Sequence, residues 1–416
     1  MKQLYTITLL LVTTLVLSWA LPAIVRIATT TATHYPFVYY SVLLQRFLIR
    51  ETSPDNKLTH IDTEGNRYTR EAFDSLTPLL SYRQLMLTNS LPDTLLGVPV
   101  DPQELRAKTF MWRYNPRNIH TPALPLYFMY ESESGRANLE APEDVFRLKK
   151  RITFIDKLTN TENTAKSDSF QSALEAAHFT FPAQQVWGNL SAKKAYDVGY
   201  FTLDSRGRLF HLKMTKGAPS VHDTHAGDSL EIAYFNVLEV ADHSIYGFLV
   251  ARNGAIYTLA AGDNYPLTRL DIPPINIDEH SVMLMGNLFY RMVNVTTPDS
   301  VTCYVLDAAT LRQHDRPHVI HASPNRWNTV ARWLFPIYLS FSSRHSDYLQ
   351  PVFHVRFGWS LFISHLTFFA YLFTAGRKGA KRNPLLRLVN ASIIILFGIP
   401  GLLASLLFLF ELRAKN

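Results

Sequence analysis

The chain has 416 residues, 47% of them hydrophobic, and a formal net charge of +7. That length permits two or three units of ordinary domain size. The basic excess is no argument for nucleic-acid binding, because much of it flanks apolar runs, where lipid headgroups account for it. A single cysteine, Cys303, excludes an intrachain disulfide.

The first apolar run, Leu4 to Ile24, follows one lysine, Lys2, and at roughly 20 residues is long enough to cross hydrocarbon. Ser18 and Ala20 satisfy the small-residue rule for signal-peptide cleavage. The run exceeds the usual ~7–15-residue apolar region of such peptides, which favours an uncleaved anchor over residues 1–30. On either reading the residues that follow are exported.

Residues 31–195 read as a mixed helix-and-loop part. Thr69 opens a segment whose apolar residues Phe73, Leu76, Leu80, Leu85 and Leu87 keep near-helical spacing, with a break at Pro78. Ser167 is a candidate cap for a second helix with the face Phe170, Ala173, Leu174 and Ala177. From 196 to 325 the character changes to short strands, among them Gly199–Leu203, Leu209–Lys213, Phe248–Val250 and Ile256–Leu259. A unit recurs: Asp62-Thr63-Glu64-Gly65-Asn66-Arg67-Tyr68, Asp204-Ser205-Arg206-Gly207-Arg208-Leu209-Phe210 and Ala251-Arg252-Asn253-Gly254-Ala255-Ile256-Tyr257. The glycine stands where a hairpin turn requires positive φ. A further unit runs from Met283–Tyr290 to Cys303–Asp307. These are propeller-like hairpins, but a closed propeller needs at least ~4 blades, so an open sheet or sandwich is expected.

In residues 326–352, Trp327, Trp333, Phe335, Tyr338 and Phe341 alternate with Arg326, Arg332 and Arg344. Such a segment suits the outer membrane interface, or equally a buried core position. Residues 353–416 carry two more apolar runs, Phe353 to Thr374 and Leu388 to Phe410, with Arg377, Lys378, Lys381, Arg382 and Arg387 between them. That basic loop is a positive-inside signal. The expected fold is an α+β membrane protein: three transmembrane helices, one N-terminal and two C-terminal, around a β-rich extracytoplasmic domain. The chain would start inside, display its middle in the periplasm and end with Glu411–Asn416 outside. Arg356 would stand at the outer mouth of the first C-terminal helix.

Chemistry is sparse. His222, Asp223, His225 and Asp228 could approach one metal, but zinc needs three or four convergent ligands and a solvated turn is the stronger reading. Glu131, Glu133, Glu140, Glu143 and Asp144 have no second element to fix a pair. No Gly-x-Ser-x-Gly elbow, His-Glu-x-x-His pair or Gly-x-x-x-x-Gly-Lys loop occurs, which lowers the expectation of the common hydrolases, proteases and ATPases. His345, Asp347, His354 and His365 cluster near the C-terminal helices; His365 inside a span is expected to pack on the last helix at Ser392 or Ser405, the alternative being a proton pathway. No catalytic, cofactor-binding or metal-ligating residue is assigned, and no cofactor.

Ser81-Tyr82-Arg83-Gln84-Leu85-Met86, Tyr130–Arg136 leading to Pro142–Arg147, Phe181-Pro182-Ala183-Gln184, Gly199–Asp204 and Gly286-Asn287-Leu288-Phe289 together resemble an uncharacterised, domain-of-unknown-function family of Bacteroidota inner-membrane proteins. The similarity covers nearly the whole chain. It implies an architecture and no catalytic residues. It also implies a gene neighbourhood with an ABC-type ATPase, and hence a non-enzymatic accessory or binding role whose partners are the bilayer and a permease or ATPase. The alternative is a membrane-anchored extracytoplasmic hydrolase without a recognisable motif. Gly358, Ser360, Ser364, Gly398, Gly401 and Ser405 are small residues of the kind that lets membrane helices approach closely, a partner included.

Overall fold

The structure is a computed structural model that describes residues 2–29, 35–52, 57–121, 124–135, 139–194, 196–321, 326–342, 349–356, 358–376 and 384–411. It divides into two compact units. One is Tyr35–His321; the other joins the two ends of the chain, Met1–His34 and Ala322–Asn416. The described helices are α1 (Lys2–Thr29), α2 (Arg70–Leu76), α3 (Pro78–Leu87), α4 (Pro102–Lys108), α5 (Arg117–His120), α6 (Thr164–Ala176), α7 (Arg326–Leu334), α8 (Trp359–Gly376), α9 (Pro384–Phe397) and α10 (Ile399–Glu411).

The unit 35–321 is built from antiparallel meanders. The first sheet (37–68), the third (185–223) and the fourth (232–269) each have four strands in sequence order. The fifth sheet (281–321) is likewise a meander, with Phe110–Tyr114 added beside Ser281–Gly286. The second sheet is the hairpin Asp144–Leu148 and Ile152–Asp156, widened by bridges from Tyr127 and Glu162 and covered by α6. Four buried clusters join these sheets face to face. Phe146, Phe154 and Phe170 meet Tyr200 and Phe210, joining second to third; Phe201 and Leu209 meet Phe235 and Leu249, joining third to fourth. Phe248 and Val250 meet Trp112 and Leu284, joining fourth to fifth; Met292, Cys303 and Val305 meet Tyr40 and Phe47, joining fifth to first.

The packing order is therefore second, third, fourth, fifth, first. Among the described residues no buried cluster links the first sheet back to the second, so the stack is open. Sandwiching between neighbours explains why Tyr200–Leu203 is buried at every position instead of alternating. The expected division at residue 195 falls inside this unit: residues 31–195 contribute the first and second sheets whole, the strand Gln185–Gly188 of the third and a strand of the fifth.

Local signals held where their chemistry was local. Thr69 caps α2 by accepting from the Ala72 N–H, and α3 starts at Pro78, where proline loses no helical hydrogen bond. Ser167 does not cap α6. Asn163 does, and the buried Ser167 hydroxyl instead accepts the Phe154 N–H of the second sheet.

In the terminal unit, α1 runs from Lys2 to Thr29 and is long and apolar enough to cross a membrane. The expected span at Phe353 starts later, because Leu349–Val355 pairs with Ile337–Ser342 as a hairpin and α8 begins only at Trp359. The expected span Leu388–Phe410 is broken at Gly398 into α9 and α10, so both C-terminal runs give only short apolar helices. Trp327, Ala331, Phe335 and Tyr338 pack with Leu21 and Val25 of α1. Leu10 of α1 packs with Ile393 and Ala404. Polarity is inverted here: Thr14, Ser18, Ser360, Ser364, Asn390 and Ser405 are buried, whereas Leu11, Leu15, Phe362, Leu366, Phe369, Leu403 and Leu407 are exposed. The Thr14, Ser18 and Ser364 hydroxyls donate to carbonyls of their own helices. The basic residues 377, 378, 381 and 382, with Arg344, His345 and Asp347, lie outside the described residues.

Candidate functional site

Two kinds of aspartate turn shape the hairpin ends. Asp62 and Asp204 each accept the backbone N–H groups two and four residues on, all at 2.9 Å, and the intervening Gly65 and Gly207 have φ of +87° and +83°. In the fourth sheet the aspartate is Ala251; Asn253 accepts the Ala255 N–H at 3.0 Å and Gly254 keeps φ at +84°. Burial opposes the Asp62 charge, yet hydrogen bonds from Asn66, Tyr68 and Glu64 hold its carboxyl down at about 2. A second turn is shared by Asp156 and Asp307. Each accepts the N–H groups two and three residues on and a threonine hydroxyl, and each turn closes with a left-handed residue, Asn160 or Leu311, both at φ +55°.

The densest buried charge lies between the third and fourth sheets, in the segment linking Gln185–Gly188 to Tyr200–Leu203. The Lys194 ammonium pairs with Asp197 and, at 2.9 Å, with Glu239. The three side chains are 3%, 0% and 3% exposed. Ser132 donates to Asp197 at 2.9 Å, Asn189 to Glu239 at 2.6 Å, and the Tyr130 ring lies 4.8 Å from the ammonium. Burial pushes the Glu239 carboxyl up, against the pull of Lys194.

Val198 ties this group to a second one. Its N–H donates to Glu239, and its carbonyl accepts from His211 Nε2 at 2.5 Å. His211 Nδ1 is left to accept the Tyr265 hydroxyl at 3.0 Å, and the ring stacks on Phe201 at 4.3 Å. Burial drives the imidazole down to about 4, so it is neutral at physiological pH. Every polar atom named here has a partner inside the fold. The arrangement clamps a long connection between two sheets; it does not present a reactive group to solvent.

The residues singled out from sequence are dispersed. His225 Nδ1 pairs with Asp228 at 3.1 Å, whereas His222 Nε2 meets Ser220 Oγ at 3.1 Å. Among the described residues no three such side chains come together around a metal position. Glu131 is an anchor for the next turn, accepting the N–H groups of Lys216 and Gly217 at 2.7 and 2.9 Å. Asp144 pairs with Lys166 at 2.8 Å. His354 bonds Ser340 at 2.9 Å and stacks on Tyr338. His365 does not pack against Ser392 or Ser405; it is exposed, donating to the Leu361 carbonyl of its own helix at 2.6 Å.

Lys194, Asp197 and Glu239 carry no sequence motif. His211 did leave a trace, as the one imidazole in the otherwise apolar strand Leu209-Phe210-His211-Leu212. A hollow at the fourth sheet, lined by Ser229, Leu230, Glu231, Ala251, Arg252 and Asn253, has its charges paired, Arg252 to Glu231 at 3.0 Å.

No curated protein matches the chain. Residues 37–306, which cover the first four sheets and most of the fifth, match a family described as a domain of unknown function, DUF4857. The chain belongs to the DUF4857 family.

Proposed function

We propose that this protein is a non-enzymatic subunit of the inner (cytoplasmic) membrane, an accessory or binding component of an ABC-type transport system, with residues 35–321 displayed in the periplasm. The observation that carries the membrane half of this reading is the inverted polarity of the terminal unit. Leucines and phenylalanines cover the outside of α1, α8, α9 and α10 while hydroxyls and one amide lie within. In water such a surface would cost roughly 25 cal/mol per Å² of apolar area left exposed; in lipid it is the expected arrangement, with small and polar residues between helices. The aromatic and arginine-bearing α7 and the hairpin after it suit the interface.

The accessory half is supported by the closed charge pairs of the other unit. Lys194 faces Asp197 and Glu239, and His211 faces Tyr265 and the Val198 carbonyl, as befits a binding scaffold rather than a catalytic cleft. The partner class, a permease or its ATPase, follows from the family resemblance. Purification of the full chain in mild detergent tests it. A stoichiometric permease or ATPase should accompany the chain; a lone monomer that hydrolyses an envelope substrate would overturn the reading.

A further inference from the structure

We infer that α9 and α10 form a re-entrant hairpin that enters the membrane from the side where α8 ends, turns at Gly398 and leaves on that same side. The inference rests on the membrane reading of the terminal unit and adds to it a path for the chain. At 1.5 Å per residue, helices of 14 and 13 residues are about 21 and 20 Å long, well short of the ~30 Å of hydrocarbon. Joined end to end they would cross. They are not joined end to end.

Gly398 has φ +62°, a left-handed conformation that no continuous helix contains. Beyond it the chain doubles back. A β-carbon on Gly401 would lie 2.4 Å from the carbonyl oxygen of Ile393. In one straight helix positions eight apart are separated by about 12 Å along the axis. The glycine is therefore the close-approach residue of two helices folded against each other.

The other helices give the direction of the fold-back. A β-carbon on Gly398 would lie 2.9 Å from Ser364 Oγ and 3.1 Å from Pro336 Cδ, which puts the turn near the start of α8 and beside the link after α7. The same end of the unit holds Leu21 and Val25, in the second half of α1. From there α10 runs along α1 toward its beginning, since Ala404, six residues past the turn, packs with Leu10. Thus α9 climbs from the basic loop to the level of Pro336, and α10 descends again.

Charge supplies an independent argument. Lys2, Arg377, Lys378, Lys381, Arg382 and Arg387 flank the ends of α1, α8 and α9 that the positive-inside rule assigns to the cytoplasm. A straight last span would strand Arg413 and Lys415 on the opposite face. A hairpin is the path the positive-inside rule favours for a chain whose last apolar run is followed by Arg413 and Lys415. The small residues thought available to a partner are used inside the unit: Ser360, Ser364 and Ser405 are buried and Gly401 seats Ile393.

Cysteine accessibility in intact spheroplasts tests the path. The native Cys303 is buried and silent. Asn253→Cys should react with a membrane-impermeant maleimide, whereas Gly376→Cys and Glu411→Cys should react only after permeabilisation. Lys415→Cys repeats the reading at a second position in case the first variant is poorly made. Labelling of Glu411→Cys or Lys415→Cys in intact cells while Gly376→Cys stays protected would overturn the hairpin in favour of a straight span. Labelling of all positions, together with release of the protein by alkaline carbonate, would overturn the membrane reading itself.

Discussion

The two units solve the same problem, where to put polar groups, in opposite ways. In residues 35–321 the interior is apolar, and the buried charges survive because each meets a counter-charge or several N–H donors. In the terminal unit hydroxyls are inside and leucines outside, and the Thr14, Ser18 and Ser364 hydroxyls are satisfied by their own helices. On the membrane reading proposed above, one unit meets water and the other a solvent that offers no hydrogen bonds, so the same substitution should have different consequences in each.

The largest effect is expected where a buried charge loses its partner. Lys194→Met would leave Asp197 and Glu239 in a closed site without a cation, and should lower stability by roughly 3–5 kcal/mol. Thermal unfolding of the full chain in detergent measures it; an unchanged midpoint would mean that the clamp is open to water. Slightly smaller, Gly254→Val should cost about 3–4 kcal/mol, because a β-carbon there would stand 1.9 Å from the Ile275 carbonyl oxygen at a φ that valine resists. Gly207→Val has the same φ and open space, so only about 1–2 kcal/mol is expected. Equal shifts for the two glycines would refute the contact with Ile275.

The comparison itself is tested by two leucine-to-lysine changes. Leu158 is 90% exposed in the unit 35–321, and Leu158→Lys should change stability by no more than about 0.5 kcal/mol. Leu366, 61% exposed on α8, should lose about 2.5–3.5 kcal/mol of insertion free energy on the same change. Comparable behaviour of both variants in membrane fractionation would remove the distinction between the units.

A further modest effect is titration. The His211 imidazole falls from its ordinary 6.5 to about 4, so the fold favours the neutral ring. That contribution is full above pH 6.5 and is lost as pH falls toward 4, costing about 1 kcal/mol between pH 6.5 and 5.5. His211→Gln should flatten the stability profile in that window. Asp62, held at about 2, acts lower, its stabilisation disappearing as pH drops from 4 to 2.

What the sequence made legible was local. The three turn glycines were readable because a φ requirement is written in one residue, and the strands around them because aromatic and β-branched runs ended at those turns. The first hairpin of the first sheet was not readable. Its strands Phe37–Ser41 and Arg46–Thr52 are joined by Val42-Leu43-Leu44-Gln45, where Gln45 takes φ +51° without a glycine or asparagine to announce it. The Asp156 and Asp307 turns share only Asp-x-x-Thr, too little to stand out in an unaligned chain. Lys194 and Glu239 meet through the stacking of two sheets, which no local pattern encodes. The break at Gly398 did have a signal, Gly398-Ile399-Pro400-Gly401, that the surrounding apolar run concealed.

Cys303 sits at zero exposure between the first and fifth sheets, and burial pushes its thiol up to about 12. On the proposed periplasmic placement, a chain with one thiol has no internal partner for it in an oxidising compartment, and risks mixed disulfides until that thiol is sealed. The seal is made by strands near opposite ends of the unit, Phe37–Ser41 and Ser300–Asp307, so it closes only once almost the whole domain has been translated. The sulfur is in effect a clock: the moment at which it stops reacting with an alkylating pulse marks the docking of the last-made sheet on the first.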